Sequence, residues 1–346
     1  MKRFLSLGFV SLVALSALAA PPAREREEGK QKESERRHEE KSRDDGDRWR
    51  GDRDGGGVII VGQPYPYPVP YPYPDSYPGP KVFRASSVVF ERDGTLWESF
   101  VNGGLPQPVL GVPPAGAREP ARSPVWGRLA FVTPLDGVGA IRWITAEGRK
   151  PKTVTSPKWG RASQPTWSPD DKRIAFVSDR DGSDEIYLVG ESGGKVRRLT
   201  NNAARDVRPA FSSDGRSVYF VSDRDGEPSL YRQRIDRSDA ERVQGVPRGT
   251  VLDVATARNN PALVVTVETK EAGRQLFLVV PDSASPARQL GDGKSDDDYP
   301  VQSPDGSKVA FRSKRDGARG IWLWDRAADR FKRLTEGEGD SRPALW

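Results

Sequence analysis

Gln164–Thr200 reads QPTWSPDDKRIAFVSDRDGSDEIYLVGESGGKVRRLT, and this stretch decides the fold. Its pattern returns at Arg208–Tyr231 and again at Tyr299–Thr335. In each copy a short run with a proline leads through a Ser-rich turn into a β-rich run and then an Asp-Gly turn, a dipeptide that suits the positive φ of tight hairpins. Four antiparallel strands in about 40–45 residues are typical of one blade of a β-propeller.

The copies follow one another at a spacing of about 44 residues, and residues 81–346 have room for about six of them. Turn aspartates mark five copies: Asp93, Asp136, Asp181, Asp225 and Asp316. Prolines mark the repeat at Pro124, Pro165, Pro209, Pro300 and Pro343. The copy over 245–290 keeps its apolar runs but lacks the Asp-Gly turn.

The two ends of the repeat region complement each other. The first copy begins at Ser86 with what matches a second strand, whereas Ser341–Trp346 matches a first strand with no second strand after it. We expect the C-terminal strand to pair beside Ser86–Phe90, which leaves no long exposed edge between the first and last blades. The sequence therefore predicts an all-β fold, a six-bladed β-propeller over 81–346 that is closed by its C-terminal strand.

The repeat resembles the WD-40-like propeller repeat of the TolB family. The resemblance is carried by Pro165–Asp170, Ile174-Ala175-Phe176, Ser178–Gly182, Ile186-Tyr187 and Arg198–Thr200. It implies a propeller that serves as an interaction module or as the non-catalytic domain of a prolyl-oligopeptidase-like enzyme. Residues 21–80 are too short and too polar for the folded α/β domain that precedes the propeller in members of the Tol system.

The N-terminal residues have the composition of an export signal and a spacer. A basic start, an apolar run and Ala17-Leu18-Ala19 predict a signal peptide over 1–19, cleaved after Ala19, and hence a periplasmic or secreted protein. Residues 20–57 form a nearly charge-balanced polyampholyte, for which we expect disorder. Residues 58–80 alternate Tyr and Pro and predict a polyproline II segment, either a stiff spacer or a strip that docks on a protein or glycan surface.

The composition excludes several kinds of chemistry. The chain has no cysteine, so a thiolate nucleophile, an iron–sulfur cluster and attachment at a lipoprotein cysteine are ruled out. Its single histidine, His38, lies in the polar segment before the repeats, and no Gly-x-Ser-x-Gly sequence occurs, so a serine hydrolase triad is not expected. The chain has a net charge of +6, and its basic residues lie in every repeat rather than in one block, which does not favour nucleic-acid binding. After the N-terminus no second long apolar run follows, so we predict no membrane span, and we expect a monomer.

Acidic residues could still support catalysis or bind an ion. Most paired aspartates recur once per repeat and are explained by turns, but the run Asp296–Asp298 occurs in one copy only. Calcium binding by these oxygens is conceivable, although the spacing matches no EF-hand loop, so we predict no metal and no cofactor. A carboxylate-based glycan hydrolase that uses Asp297 and Asp298 remains an alternative.

The residues before the repeat prolines point to a binding site, because they lie where the innermost strand enters the central channel. The predicted channel-mouth residues are Asp206, Arg208, Asp297, Asp298, Tyr299, Asp340 and Arg342. The turn arginines are expected farther out on the same face and extend the site: Arg180, Arg224 and Arg315. Alternating Asp and Arg side chains suit a peptide end or a polar loop, although the charges could instead pair with each other around the ring.

The first functional hypothesis is therefore an exported, non-enzymatic propeller that binds a protein or peptide in the cell envelope. The alternatives are a carboxylate-based glycan-active enzyme and a cell-wall glycan-binding protein that uses the Tyr-Pro segment.

Overall fold

The computed structural model describes residues 87–113, 116–149, 151–336 and 340–345. The predicted signal peptide, the polyampholyte and the Tyr-Pro segment lie outside the described residues. Apart from one 3-10 turn at Pro157–Trp159, the regular structure described is β, and it forms six antiparallel four-stranded sheets.

Each sheet is one blade, and in five of the six the strands follow the order of the chain from the innermost strand outward; in blade 1 the last strand of the chain is innermost. Blade 1 contains β1 (Ser87–Arg92), β2 (Thr95–Phe100), β3 (Gln107–Pro108) and, innermost, β24 (Ser341–Leu345). Blade 2 contains β4 (Arg118–Arg122), β5 (Leu129–Leu135), β6 (Val138–Ile144) and β7 (Lys152–Thr153). Blade 3 contains β8 (Ala162–Trp167), β9 (Arg173–Ser178), β10 (Glu185–Gly190) and β11 (Arg197–Arg198).

The remaining three blades repeat this arrangement. Blade 4 contains β12 (Asp206–Phe211), β13 (Ser217–Ser222), β14 (Ser229–Arg234) and β15 (Ala240–Arg242). Blade 5 contains β16 (Thr250–Ala255), β17 (Leu263–Thr269), β18 (Gly273–Val279) and β19 (Arg288–Leu290). Blade 6 contains β20 (Asp298–Gln302), β21 (Lys308–Ser313), β22 (Gly320–Asp325) and β23 (Arg330–Arg333).

The last strand closes the ring, which confirms the predicted architecture. β24 pairs antiparallel with β1, with Val89 opposite Ala344 and Glu91 opposite Ser341. The six innermost strands contact one another in the order β24, β4, β8, β12, β16, β20 and back to β24. The blades are therefore arranged around one central channel.

The hydrophobic core lies between the blades. Six clusters of buried apolar side chains each join two neighbouring blades. Phe90 of blade 1, for example, packs with Ile321 of blade 6, and Phe176 of blade 3 packs with Ile141 of blade 2. Every blade thus buries both faces of its sheet against neighbours, and no blade has a separate core.

Two details of the repeat differ from the sequence reading or extend it. The degenerate copy at 245–290 forms a complete blade, because its apolar runs become the buried strands β17 and β18 without the Asp-Gly turn. The marker proline of the second copy was assigned wrongly: Pro120, not Pro124, lies in innermost strand β4. Pro124 lies in the turn that follows, at the position that Pro169 occupies in blade 3.

Candidate functional site

The entrance to the channel is built from a bulge at the start of the innermost strands. In five blades the residue before the repeat proline has a positive φ, between 44° and 57°: Glu119, Gln164, Arg208, Tyr299 and Arg342. A residue before proline normally adopts an extended conformation, and a left-handed non-glycine backbone costs on the order of 1–3 kcal/mol. The pairing register shifts at this point in each of these strands. The fold therefore holds these five backbones in a conformation that the local sequence does not favour.

One side chain from each blade lines the channel entrance. We call this set the mouth ring, and in blade order it consists of Arg342, Glu119, Gln164, Arg208, Asp253 and Tyr299. The channel has a cavity volume of about 210 Å³, which is smaller than the roughly 300–1,000 Å³ of a typical small-molecule pocket. It suits a narrow group such as a peptide end or an extended loop.

The ring is connected by hydrogen bonds and charges from blade to blade. Arg342 donates to Glu119, and Glu119 also accepts from the backbone N–H of Gln164. The side-chain oxygen of Gln164 accepts from the backbone N–H of Arg208 at 2.7 Å. Arg208 Nε lies 3.8 Å from the nearest carboxylate oxygen of Asp253, beyond hydrogen-bond distance.

Tyr299 is surrounded by guanidinium groups. The guanidinium carbons of Arg208, Arg312 and Arg342 lie 5.2, 4.7 and 5.3 Å from the centre of its ring. Such distances are typical of cation–π contacts. The aromatic ring therefore holds three cations close together on one side of the entrance, and it belongs to the wall of the same channel.

Two ring members have shifted pKa values. Burial raises the pKa of Asp253 above its usual range and Asp298 adds to the effect, while Arg208 and Arg342 oppose it. Burial works against the charge of Arg342, yet Glu119 and Tyr299 raise its pKa. The entrance thus contains one carboxyl group that takes up a proton more readily than usual, near the guanidinium of Arg342, whose pKa is raised by Glu119 and Tyr299.

Like residue types occupy opposite blades of the ring. Arginines are three blades apart at 342 and 208, acids at 119 and 253, and the uncharged Gln164 and Tyr299 at the remaining positions. Each arginine is followed by an acid in the next blade. The ring therefore contains two cation–acid pairs that come from opposite blades, and the guanidinium groups of both pairs reach the ring of Tyr299.

The structure brings together Arg208, Tyr299 and Arg342 from the predicted site, but it places three predicted aspartates elsewhere. Asp206, Asp297 and Asp340 are at most 1% exposed and lie behind the ring. Each accepts from the turn arginine of its own blade: Asp206 from Arg224 at 3.0 Å, Asp297 from Arg315 at 2.9 Å, and Asp340 from Arg92 at 2.9 Å.

The other predicted residues also have identified surroundings. Asp298 is 5% exposed and accepts from Arg312 and Arg274. Arg180 lies at the surface over the ring of Tyr187, and the position that holds Asp206 in blade 4 is Ala162 in blade 3. Arg224 and Arg315 point at buried aspartates, so their guanidinium groups already have acidic partners.

Glu119 and Asp253 are ring members that the sequence analysis did not select. Glu119 could have been found, because it precedes a proline as the other left-handed residues do. Asp253 carries no such signal, because valine follows it and its φ is not positive. Gln164 likewise precedes a repeat proline, Pro165, but is not among the predicted channel-mouth residues.

Two further features were sought among the described residues: a cluster of metal ligands and a helix that could span a membrane. Within 87–345, apart from the gaps, no group of three or more His, Cys, Asp or Glu side chains could hold a metal ion. The run considered for calcium faces arginines instead, with Asp296 3.4 Å from Arg274. No helix in the described part of the chain is long and apolar enough to cross a membrane.

The comparisons with known proteins agree with this fold. The profile of the family described as TolB beta propeller domain matches residues 117–346. The chain is 20% identical to TolB from Acinetobacter baumannii over 75% of its own length, with a TM-score of 0.63, and it spans 66% of that protein. No curated protein matches the chain.

Other solved structures share the fold in different settings. A puromycin-hydrolyzing peptidase from Mycobacterium tuberculosis is 19% identical with a TM-score of 0.50 over 72% of this chain and 42% of its own. Kuenenia stuttgartiensis hydrazine synthase is 12% identical with a TM-score of 0.61 over 75% of this chain and 46% of its own. At these identities the likeness concerns the propeller alone.

Proposed function

Because the chain belongs to the TolB beta propeller family, we propose that it is an exported, non-enzymatic protein that binds a protein or peptide partner in the cell envelope. Family membership and the shared fold support a scaffold role. The signal-peptide pattern over 1–19 supports export to the periplasm or beyond. The partner is held at the mouth ring.

The observation that carries this proposal is the left-handed backbone at five ring positions. Strained backbone of this kind persists only where the surrounding structure imposes it, and it is concentrated at functional sites. Here it directs side chains such as Arg208 and Tyr299 into a channel entrance that is narrow and lined with opposite charges. A preorganised polar ring suits recognition of an extended segment, because little ordering entropy is lost on binding.

The enzymatic alternative has less support from the geometry. The two carboxylates considered for glycan hydrolysis, Asp297 and Asp298, are buried and paired with arginines. A hydrolase needs its acid and its base at the substrate. Here Asp297 pairs with Arg315 inside blade 6, and Asp298 pairs with Arg312 of blade 6 and Arg274 of blade 5. The Tyr-Pro segment as a glycan-binding strip stays a prediction, because it lies outside the described residues.

The test is crosslinking capture from the envelope fraction of the source cell, with residues 20–346 and with the shorter chain 81–346. We expect both to retain one dominant partner, and we expect Glu119→Ala and Arg342→Ala to reduce its capture at least tenfold. Arg197→Ala is the matched control, because Arg197 is exposed in β11, the outermost strand of blade 3. Undiminished capture by both ring variants would contradict the site, and loss of the partner with residues 20–80 would move the function to the N-terminal segment.

A further inference from the structure

Arg208 is the arginine of the mouth ring whose guanidinium group is not used in a hydrogen bond within the described part of the chain. A guanidinium group has five N–H donors, and among the described residues the Arg208 side chain forms no hydrogen bond. Its closest acid is Asp253, with 3.8 Å between Nε and the carboxylate oxygen. Arg342, which comes from the blade three positions away, donates to Glu119 instead. The two arginines of the ring are therefore not equivalent.

The position of Arg208 is fixed before any ligand arrives. Its backbone has φ 57° and its N–H donates to Gln164, so the start of the side chain is held by the neighbouring blade. Its guanidinium lies over Tyr299 at 5.2 Å from the ring centre. The side chain is 21% exposed, and that exposure is toward the channel that it lines.

The unused N–H donors of the Arg208 guanidinium favour a planar anion as the ligand. Arg312 and Arg342 approach the same tyrosine ring and strengthen the positive potential on this side of the entrance. A guanidinium binds a carboxylate through two parallel N–H···O bonds, which match in spacing and plane. The channel is too narrow for a folded element, so the carboxylate has to arrive at an end or on a thin loop.

We propose that Arg208, held over Tyr299, binds a carboxylate of the peptide segment that enters the channel, either a free C-terminus or an Asp or Glu side chain. This inference rests on the proposed function and specifies what the mouth ring recognises. Gln164, next to Arg208, positions it through the backbone hydrogen bond. Asp253 is the acid next to Arg208, and its protonation state has to change when the carboxylate of the ligand binds beside it.

Binding should therefore be coupled to a proton. The charged groups around Asp253 are Arg208 from β12, Arg342 from β24 and Asp298 from β20. A ligand carboxylate at Arg208 adds a further negative charge beside Asp253, which favours its protonated form. Because the pKa of Asp253 is already raised, we expect affinity to rise as the pH falls through it, until the ligand carboxylate itself becomes protonated.

The experiment uses the mature chain, residues 20–346, and three fluorescein-labelled Gly-Ser hexapeptides read by fluorescence anisotropy. One has a free C-terminus, one a C-terminal amide, and one a C-terminal amide with a glutamate before it. We expect the two carboxylate peptides to bind at least tenfold more tightly than the plain amide. Their relative affinity separates a C-terminus from an acidic side chain, and competition by inorganic phosphate shows whether the site discriminates the planar anion.

Variants tie the effect to Arg208. Arg208→Gln should reduce the affinity of the carboxylate peptides at least tenfold, Arg208→Lys should retain part of it, and Arg197→Gln, at an exposed arginine of outermost strand β11, should leave it unchanged. Asp253→Asn should bind tightly at every pH at which the ligand carboxylate is ionised and should lose the pH dependence that comes from Asp253. Thermal melting of each variant confirms that the fold is intact.

Equal binding of the amide peptide, equal binding by Arg208→Gln, or no binding of any peptide at about 1 mM would overturn the proposal. A phosphate that displaces the peptide at much lower concentration than acetate would also overturn it. If Arg208→Gln captures the envelope partner as the unchanged protein does while Glu119→Ala does not, the proposed function stands and the carboxylate site fails.

Discussion

In three blades the turn arginine owes its position to a buried aspartate of the same blade: Arg92 to Asp340, Arg224 to Asp206 and Arg315 to Asp297. In blade 4, Asp206 is fully buried and accepts from Arg224 and from the side-chain amide of Asn202. Arg224 also lies over the ring of Tyr231 at 4.7 Å. Removing one partner of such a pair leaves the other charge buried and uncompensated, which costs far more than the pair itself is worth.

We therefore expect Asp206→Ala to lower the free energy of unfolding by about 3–5 kcal/mol, measured by urea denaturation. Asp214→Ala in the same blade is the control, because Asp214 is exposed and bonds only within its own turn. It should cost less than about 1 kcal/mol. Equal losses for the two variants would contradict the structural role of the buried pair.

Asp297 gives a prediction about pH. Burial raises the pKa of Asp297 to about 6, although Ser313 and Arg315 act in the other direction, and an unfolded aspartate has a pKa of about 3.9. The folded state thus binds this proton more tightly than the unfolded state. Stability from this group is present at low pH and is lost as the pH rises from about 4 to about 6, by on the order of 3 kcal/mol.

Urea denaturation between about pH 4 and pH 7 checks this slope, with Asp297→Asn as the comparison because its amide does not titrate. We expect the difference in unfolding free energy between the two proteins to change over this range and to be constant above it. Parallel stability curves would show that Asp297 has the same pKa in both states.

At the scale of the element, one turn joins two blades. Asp171, in the turn between β8 and β9, is 2% exposed and has φ 57°, whereas the corresponding turns of blades 4 and 6 carry Gly215 and Gly306. Its carboxylate accepts from the backbone N–H groups of Val125 and Trp126 in blade 2, the second at 2.8 Å. The left-handed residue is thus not a glycine because its side chain bonds to the neighbouring blade.

Asp171→Gly separates the two effects, because glycine accepts the positive φ without strain but cannot accept the two hydrogen bonds. We expect it to lower the unfolding free energy by about 1–3 kcal/mol and to speed amide hydrogen exchange at Val125 and Trp126. Asp170→Ala is the control, since Asp170 bonds within its own turn. Unchanged exchange at Trp126 would contradict the link.

The sequence predicted the strands better than it predicted the bulges within the innermost strands. Asp-Gly turns and apolar runs are local signals, so the repeat and the number of blades could be counted from them. The bulge is set by packing, since a residue before proline should be extended, and Arg208 is not. In a regular strand Asp206 and Arg208 would share a face; the bulge sends Asp206 into the blade and Arg208 into the channel, so the aspartates could not be placed from their spacing.

The same reasoning explains what was found and missed at the ring. The sequence could predict three members of the ring because each precedes a repeat proline: Arg208, Tyr299 and Arg342. Glu119 was missed through the wrong choice of proline, and Asp253 because blade 5 reaches the channel without one. A ring is a property of six distant segments, so its pairing of arginines with acids emerges only when the blades are in order.

At the scale of the whole molecule, stability depends on one pairing between the ends of the described chain. Repeats that contact only their neighbours are stabilised by intrinsic and interface contributions, and here each interface is one of six hydrophobic clusters. The cluster between blades 6 and 1 lies beside β24, which pairs with β1 of blade 1 and contacts β20 and β21 of blade 6. Release of β24 would therefore also weaken that cluster and remove Arg342 from the mouth ring.

A disulfide between β1 and β24 tests how much the pairing of these two strands limits the stability of the protein. Val89 of β1 and Ala344 of β24 are opposite each other, and the chain has no cysteine of its own, so Val89→Cys with Ala344→Cys gives a single possible bridge. We expect the free energy of unfolding of the oxidised protein to exceed that of the same protein reduced with dithiothreitol by about 2–4 kcal/mol.

The control is a bridge inside blade 6, from Lys308→Cys with Asp325→Cys at another opposed pair. It closes a much shorter loop and should stabilise less. If opening of the ring starts unfolding, only the bridge at the closure slows the unfolding rate strongly; equal unfolding rates of the oxidised and reduced forms would place the first step of unfolding at another blade.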